Sequence, residues 1–448
     1  MTRGAAVTSA IALAVTMAVG ITPSHAATTL TMIAADYPGD GHTQQDQWTD
    51  FATRFHAANP DITVNVIVKS WNDIDQYVAT QIASGQTPDV VNKGDYSAPA
   101  AAGLLYPASK IVSPATLADI LPAFLNNSKY NGVVYALPDL ASARALFYNK
   151  DLLTEAGITK LPTSWLSLTT DLGIIHRKLK GIYGYAIPLG PEEAQAEFNI
   201  WAGGNGGSYY NYATKAWVLN SPANVATATF LKSLTTKGYT EPNPDKCERT
   251  ACAQALFAAG KAVFINGSVF LGSWLKANGG SKLNVGTGSF VSNTGHKPVT
   301  LGVQDYFTAY SKNGNQAAIQ KWMDFIYEPA NYAKFLVAAG GFIPATKSAG
   351  AKAASDPALA PFIKLLPNAV FYPGDIASWN SVKGQIQQGI GLVFENENKI
   401  GFTPADHSDF EVSYESSRFT VMFTGIIFPW LDGVKQIMVL INTQVDAE

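Results

Sequence analysis

Strand-like and helix-like patterns alternate along residues 28–92, and this alternation limits what the chain can fold into. "TTLTMIAADY", "ITVNVIV" and "PDVV" are typical of strands. Between them, "DQWTDFATRFHAANPD" places Trp48, Phe51 and Phe55 on one helical face, and "DIDQYVATQIASG" predicts a second helix. Strands linked by helices form a mostly parallel sheet covered by helices, so the sequence predicts an α/β fold.

In such a sheet, ligands bind in the crevice beyond the carboxyl ends of the strands. The first predicted strand ends at Asp36 and Tyr37, and the second leads to Trp71. The third leads to "NKGDY" (92–96), which contains Asp95 and Tyr96. We therefore expect these five side chains to line a binding crevice.

The N-terminal segment has the features of a secretory signal. Arg3 precedes an uncharged apolar stretch, and Ser24-His25-Ala26 fits a signal peptidase site, so we predict a signal peptide over residues 1–26. A membrane anchor fits less well, because the stretch is rich in small residues and followed by Pro23. With no Cys at the cleavage site to carry a lipid, the mature protein is predicted to be periplasmic or extracellular.

Composition narrows the function further. The hydrophobic fraction of 47% excludes general disorder, and a net charge of −3 without long runs gives no basis for binding nucleic acid or an anionic membrane. Cys247 and Cys252 in "DKCERTAC" predict a small-loop disulfide in an oxidising compartment. A metal pair fits less well, because no third thiol or His stands nearby, and no cofactor is predicted.

Signatures of hydrolases, metalloproteases and nucleotide-binding proteins are absent, since the chain has no GxSxG, HExxH or P-loop. Carboxylates are predicted at the ends of strands: Asp36, Asp95, Asp139 and Asp305. A pair of them at a suitable separation would serve glycoside hydrolysis. Single carboxylates at these positions equally serve as acceptors for hydroxyl groups.

Aromatic side chains at the predicted crevice favour a sugar, whose C–H face stacks on a ring while its hydroxyls bond planar polar groups. The aromatic candidates are Tyr37, Trp71, Tyr96, Trp274 and Trp379. Trp274 and Trp379 suit core packing equally well, and Arg144 suits an ion pair between lobes as well as a ligand contact. Asn205 lies in "AGGNGG", which is also a plausible tight turn.

A crossing between two lobes is predicted at "YALPDLASARALFYNKDLLTEAG" (135–157). "NGVVYALP" is typical of a strand that leaves one lobe, "ARALFYN" of a strand that enters the other, and "KDLLTEAG" of a helix that ends at Gly157. Farther on, "VTLGVQDYFTAY" predicts a strand, a loop and a strand that return to the first lobe.

The order of these segments resembles the family 1 extracellular solute-binding proteins, the carbohydrate receptors of ABC importers. The resemblance covers residues 28–393 and rests on "IASGQTPDVV", "AAGLLYP", "LFYNKDLLTEAG", "LPTSW", "FAAGKAVFING", "LGVQDYFTAYSKN" and "WNSVKGQIQQGI". It implies a two-lobed periplasmic binding protein fold of type II, with the ligand held between lobes that close by a hinge. It also implies a sugar ligand, ABC importer permease subunits as partners, a monomer and no enzymatic reaction.

The resemblance assigns parts of the chain to the two lobes. Lobe 1 would comprise 27–138 and 299–346, and lobe 2 would comprise 139–298 and 347–396, with an atypical tail at 397–448. It adds Arg144 near the hinge, Asn205 in the glycine-rich loop, Trp274 after an Asn-Gly turn and Trp379 as a stacking residue. Asp305 and Tyr306 stand where the family often has a Gly-Gly loop, and the apolar tail, broken by Pro429, departs from the family pattern.

Other functions stay open at this point. The same fold binds polyols, sugar acids, polyamines, phosphate esters or iron, and the adjacent Tyr209 and Tyr210 keep iron open. A carboxylate in the ligand would suit Arg144. A secreted glycoside-acting enzyme and a receptor that signals to a sensor are the remaining alternatives.

Overall fold

The computed structural model describes residues 27–37, 44–353 and 355–394, and the backbone of three strands within 401–422. The predicted signal peptide, residues 1–26, lies outside the described residues.

The strands that form the two main sheets are β1 Thr28–Ala35, β2 Ile62–Lys69, β3 Val90–Lys93, β6 Ala136–Ala143, β7 Ala145–Asn149, β8 Tyr183–Ala186, β11 Ala262–Gly267, β12 Val285–Gly288, β13 Thr300–Ala309 and β14 Ala369–Val370. Short hairpin strands are β4 Lys129–Tyr130, β5 Val133–Val134, β9 Tyr210–Asn211 and β10 Ala216–Trp217, and the tail contributes β15 Gly401–Ala405, β16 Asp409–Tyr414 and β17 Ser417–Met422.

Helices cover both sheets. They are α1 Gln44–Ala58, α2 Ile74–Ala83, α3 Ser97–Ala101, α4 Pro114–Asp119, α5 Pro122–Asn126, α6 Lys150–Ala156, α7 Trp165–Lys178, α8 Ala194–Gly203, α9 Pro222–Thr236, α10 Ala255–Ala258, α11 Leu271–Ala277, α12 Gln316–Tyr327, α13 Pro329–Ala338, α14 Lys347–Ala353, α15 Ala360–Ile363 and α16 Trp379–Gly389. Local sequence explains several boundaries. The Asn149 side chain caps α6, which ends at Gly157 with φ 76°, and Ser164 begins α7 with a capping box.

The first sheet begins with three parallel strands, as the alternation predicts. β1 lies between β2 and β3 and is parallel to both. β13 then pairs antiparallel with β3 on one side and with β6 on the other, and its first two residues pair with β14. The α/β fold predicted from the sequence is confirmed.

The second sheet has the order β12-β7-β11-β8, in which only β11 and β8 are parallel. Arg144 alone separates β6 of the first sheet from β7 of the second, so the chain crosses between lobes at this residue. The Arg144 backbone N–H donates to the Leu301 carbonyl at 3.1 Å, and Thr300 is hydrogen-bonded to the Arg144 backbone. The two crossing segments therefore meet beside Arg144.

Two clusters of buried apolar side chains hold the molecule together. One fills the space around the first sheet and continues onto one face of the second, including Phe147 and Ile265. The other lies on the opposite face of the second sheet, where Leu146, Phe264 and Trp201 are buried. β7 contributes alternate residues to the two clusters, because successive side chains of a strand point to opposite faces.

Two details differ from the expectations. "VTLGVQDYFTAY" forms one continuous strand, β13, with a shift of register between Asp305 and Tyr306 in place of a loop. α14 contacts the first lobe, since the Ser348 hydroxyl donates to Asp119 at 2.5 Å and Lys347 bonds to the Ala118 carbonyl. The proposed lobe boundary at 346/347 therefore falls ahead of the place where the chain leaves the first lobe.

The tail contains an antiparallel sheet of β15, β16 and β17. Residues 423–448, with most of the predicted apolar stretch, lie outside the described residues. Within the described part of the chain, no helix is long and apolar enough to cross a membrane.

Candidate functional site

A β-bulge in the first sheet brings two carboxylates together. Asp305 on β13 pairs with Leu140 on β6, but the next pair of the ladder skips one residue, so Asp139 has no residue opposite. In a regular ladder, Asp139 would point to the opposite face of the sheet from Asp305. The extra residue of the bulge breaks the alternation of side chains, so Asp139 can lie on the same side as Asp305. Both carboxylates accept a hydrogen bond from the Tyr37 hydroxyl, at 3.2 Å to Asp139 and 3.1 Å to Asp305.

Burial disfavours the ionised form of both carboxyl groups. Asp139 has no exposed surface and Asp305 is 5% exposed. Burial raises the pKa of Asp139 well above its usual value, and the neighbouring Asp305 adds to the shift. Burial also raises the pKa of Asp305 to about 6, although the Tyr37 hydrogen bond and the charges of Lys383 and Arg144 oppose the shift.

Few hydrogen-bond donors contact Asp139 and Asp305. Asp139 accepts from the Asn92 amide at 2.6 Å and from the Leu140 backbone N–H at 2.8 Å. Asp305 has the Tyr37 hydroxyl as its only donor among the described residues, and a single hydroxyl hydrogen serves one carboxylate at a time. We call Tyr37, Asn92, Asp139 and Asp305 the carboxyl cluster; it has acceptor capacity to spare.

Gly94, which has no side chain, lies beside the carboxyl cluster. A Cβ added at Gly94 would lie 3.0 Å from Asp305 Oδ1 and 3.9 Å from the Trp71 ring. The half-buried Trp71 ring stands edge-on to the Tyr37 ring at a centroid distance of 5.5 Å. Trp71 and Gly94 thus border Asp305, as a binding surface for a compact ligand requires.

Arg144, at the crossing between the lobes, has guanidinium N–H donors that are not all paired. Its Nη2 lies 2.6 Å from Glu193 Oε1, whereas its Nε and Nη1 are buried and have no hydrogen-bond partner among the described residues. Arg249 also bonds Glu193, at 3.3 Å. Burial nevertheless raises the pKa of Glu193, because it outweighs the attraction of Arg144 and Arg249.

The predicted disulfide is confirmed: Cys247 and Cys252 are bonded. It closes the segment that carries Arg249 and leads into the helical turn Arg249–Gln254. The disulfide thereby restricts the arginine that holds Glu193, which in turn pairs with Arg144 at the hinge.

An ion network joins the lobes next to this site. Lys93 Nζ lies 2.9 Å from both Asp75 and Asp95, and Lys383 Nζ on α16 lies 2.7 Å from Asp75 and 3.7 Å from Asp95. Although burial opposes the shift, Lys93 and Lys383 lower the pKa of Asp75. Asp95, a predicted ligand residue, is engaged in this network. A hydrogen bond of 2.9 Å from Ser97 to the Ile376 carbonyl is a second contact between the lobes.

Trp379 lies in an aromatic stack. It is 1% exposed, and its ring stacks near those of Tyr209, Trp217 and Tyr372 at centroid distances of 5.9, 6.2 and 5.0 Å. In this conformation no face of its ring is open to a sugar, so packing accounts for the residue.

Five other predicted ligand residues lie apart from the carboxyl cluster. The hydroxyls of Tyr96 and Tyr306 both donate to the Asn127 carbonyl, and the two rings contact each other edge-on. The Asn205 amide is used within its glycine-rich turn, donating to the Ala223 carbonyl at 2.9 Å and accepting from Asn293 at 2.8 Å. Trp274 is half-buried on α11 against the first core cluster, and Asp36 is exposed at the end of β1. None of these five side chains is part of the carboxyl cluster.

Of the predicted ligand residues, the structure brings Tyr37, Trp71 and Asp305 together, and the charge of Arg144 acts on Asp305. The prediction of their ligand contacts stays a prediction. The sequence analysis named Asp139 as a carboxylate at a strand end without assigning it a ligand contact, and it missed Asn92, Glu193 and Lys383. Asn92 had a signal, because it stands in a segment already expected at the crevice, whereas nothing local distinguishes Glu193 or Lys383.

A groove of about 550 Å³ lies elsewhere, between α1 and α13. Its lining includes Asp50, Phe51, Lys334 and Val337, and Val337 is 63% exposed. Such an open surface does not enclose a small solute, so the space between the lobes is the better candidate site.

The chain matches the family described as bacterial extracellular solute-binding protein over residues 39–333. A putative binding protein from Brucella abortus is 28% identical over 346 residues, covering 73% of this chain and 80% of the relative. A mannitol-binding protein from Pseudomonas aeruginosa is 32% identical over 138 residues, covering 30% of this chain and 31% of the relative.

Solved structures share the two-lobed fold. A solute-binding protein of an ABC transporter from Thermotoga lettingae, bound with α-D-tagatose, superposes with a TM-score of 0.73 at 18% identity. The match covers 94% of this chain and 99% of that protein. At this identity the likeness supports the fold and not the ligand.

Proposed function

Because the chain belongs to the bacterial extracellular solute-binding proteins, we propose that it captures a small hydroxyl-rich solute, a sugar or a polyol, between its lobes and delivers it to an ABC-type importer. The observation that carries this proposal is the carboxyl cluster, in which the charge of Arg144 acts on Asp305, together with the unpartnered Nε and Nη1 of Arg144. Acceptors on one side and donors on the other match hydroxyl groups, which both donate and accept.

The names of the relatives support this solute class. The relative from Pseudomonas aeruginosa is named for mannitol, and the structure from Thermotoga lettingae contains tagatose. Both molecules are compact and neutral. The half-buried Trp71 beside Asp305 offers an apolar surface for the C–H groups of such a solute.

The charges disfavour a sugar acid or a phosphate ester. The ion network of Lys93, Lys383, Asp75 and Asp95 is balanced within itself. Asp305, whose pKa of about 6 leaves it ionised at neutral pH, adds a carboxylate to which no cation is hydrogen-bonded among the described residues. An anionic ligand would therefore meet repulsion there, and the metal alternative finds no cluster of three ligating side chains within the described part of the chain.

Capture would proceed by a shift between open and closed arrangements of the lobes about Arg144. The solute first contacts one lobe, and closure forms the Lys383 to Asp75 pair and the Ser97 to Ile376 hydrogen bond. The closed form is the one that permease subunits would accept. We propose a binding role without catalysis, in the periplasm or outside the cell after removal of the signal peptide.

The test is a thermal-shift and calorimetric screen of the mature protein with monosaccharides, polyols, sugar acids, polyamines and metals. A bound solute at about 100 times its Kd adds about 2.7 kcal/mol to the free energy of unfolding. We expect neutral sugars or polyols to raise Tm and sugar acids to leave it unchanged. Stabilisation by sugar acids or metals alone would contradict the proposal, and turnover of a glycoside that is lost in Asp305→Asn would make the protein an enzyme.

A further inference from the structure

Unpaired acceptors dominate the first-lobe side of the site. Asp305 Oδ1 has no donor among the described residues, and Asp139 and Asp305 share the one Tyr37 hydroxyl. Asn92 is fully buried, and its Oδ1 has no hydrogen-bond partner although its amide nitrogen lies 2.6 Å from Asp139. Three side chains thus present oxygen acceptors at one place.

The second-lobe side of the site has unpaired donors instead. Arg144 Nε and Nη1 are buried and unpartnered among the described residues, and the positive charge of Arg144 acts on Asp305. A bound molecule would therefore meet oxygen acceptors from the first lobe and a guanidinium donor from Arg144. Hydroxyl groups satisfy both sides, but a group with several donors and no acceptor suits the acceptor side better.

An ammonium group fits the acceptor end better than a hydroxyl. It carries three N–H donors and no acceptor, whereas each hydroxyl brings one donor with two lone pairs that would face carboxylate oxygens. Its charge also balances that of Asp305, whose pKa of about 6 leaves it ionised at neutral pH, and charge-assisted hydrogen bonds are roughly twice as strong as neutral ones.

Resting on the proposed function, we infer that the solute is an amine-bearing sugar or polyol whose ammonium group binds the carboxyl cluster while its hydroxyls reach Arg144. Gly94 has no side chain to cover Asp305 Oδ1, since a Cβ there would lie 3.0 Å from this atom. A Trp71 ring atom lies 3.9 Å from the same Cβ position, and a cation near an aromatic ring is attracted to it.

Matched pairs of probes test this inference. D-glucosamine is compared with D-glucose and N-acetyl-D-glucosamine, and 1-amino-1-deoxy-D-glucitol with D-glucitol, by titration calorimetry at pH 7.5. We expect each free amine to bind at least tenfold more tightly than its neutral counterparts. Asp305→Asn is expected to abolish this preference, so that the amine and its neutral counterparts bind the variant with the same affinity.

The pH dependence gives a second readout. Because the pKa of Asp305 is about 6, the preference for the amine is expected to fall between pH 7.5 and pH 5, as the carboxylate takes up a proton. Besides their effect on each other, the charged and titratable groups that act on the two carboxylates are Tyr37, Asp95, Arg144, Tyr306, Tyr327, Tyr332, Tyr372 and Lys383. None of the side chains among these is a histidine or another group that ordinarily titrates in this range.

Controls separate the possible failures. Asp61→Asn removes a surface carboxylate near Lys321, far from the site in the fold, and should leave the preference unchanged. If Asp305→Asn unfolds, Asp139→Asn provides the same comparison. Equal or tighter binding of the neutral probes would overturn the inference and leave the proposed function intact, whereas failure of every amine, sugar and polyol would overturn both.

Discussion

Lys383 on α16 forms an ion pair with Asp75 on α2, with Nζ and Oδ2 separated by 2.7 Å, and this pair joins the two lobes. Lys383 also lies 3.7 Å from Asp95, so one cation of the second lobe faces two carboxylates of the first. The pair is formed only when the lobes are close together. It therefore contributes to the free energy of the closed form, and through it to ligand affinity.

Lys383→Met is expected to weaken binding of the identified solute about fivefold, which corresponds to about 1 kcal/mol for a partly exposed pair. Titration calorimetry measures the affinity, and small-angle scattering should show a larger radius of gyration without ligand. Lys321→Met is the control, because Lys321 is 53% exposed and 3.9 Å from Asp61. Unchanged affinity in Lys383→Met would show that the pair does not favour closure.

The ligand-free protein is expected to be more stable at pH 5 than at pH 8. Burial raises the pKa of Asp305 to about 6, of Glu197 to about 7 and of Glu241 to about 8. Between the unfolded and folded pKa values the native state holds more protons than the unfolded state, so the free energy of unfolding falls as pH rises. A series of Tm values across this range measures the effect; a Tm that rises steadily to pH 8 would contradict it.

Asp305→Asn is expected to stabilise the ligand-free protein at pH 8. The folded pKa of about 6 lies about two units above the ordinary value of 3.8, and each unit corresponds to about 1.4 kcal/mol. The gain is therefore at most about 3 kcal/mol and disappears below pH 4, where Asp305 is protonated in both states. Urea unfolding at pH 8 and pH 4 measures it, and an equal change at both pH values would assign the effect to packing.

Two tryptophans should respond differently to truncation. Trp379→Ala is expected to cost about 3–5 kcal/mol of stability, because it empties a fully buried position in the stack with Tyr209 and Tyr372. Trp71→Ala is expected to lower affinity at least tenfold with a small change in stability, since Trp71 is half-buried beside Asp305. Urea unfolding and calorimetry on both variants separate the roles, and the opposite pattern would restore Trp379 as the stacking residue.

Gly94→Ala is expected to reduce affinity more than tenfold and to leave Tm nearly unchanged. The added Cβ would lie 3.0 Å from Asp305 Oδ1, so it takes space that a ligand group needs. Gly272→Ala on α11 is the matched control, because a Cβ there meets nothing within 4 Å. Wild-type affinity in Gly94→Ala would place the ligand away from Asp305.

Removing the disulfide is expected to cost about 2 kcal/mol of stability, as the chain-entropy model gives for so short a loop. The double variant Cys247→Ser with Cys252→Ser tests this by urea unfolding, and the wild type in reductant should match it. A midpoint unaffected by either change would show that the contacts of Arg249 with Glu192 and Glu193 hold the segment without the bond.

The sequence by itself determined the order of strands and helices, the crossing near Arg144 and the disulfide. These features depend on local causes: apolar periodicity, caps such as Asn149 and Gly157, and two cysteines close in sequence. Tyr37 and Trp71 were predicted for a related reason, since the carboxyl ends of neighbouring strands meet in one crevice. Asp305 was also predicted at a strand end, but it lies within the continuous strand β13.

Only the tertiary structure decided which polar groups are left without partners. The bulge at Asp139 depends on the pairing of β6 with β13, more than 150 residues apart, and it turns Asp139 towards Asp305. Packing also encloses Trp379 and pairs Asp95 with Lys93 and Lys383, which removes both from the set of free ligand contacts in this conformation. Burial and hydrogen bonding are properties of the assembled lobes, so no pattern along the chain records them.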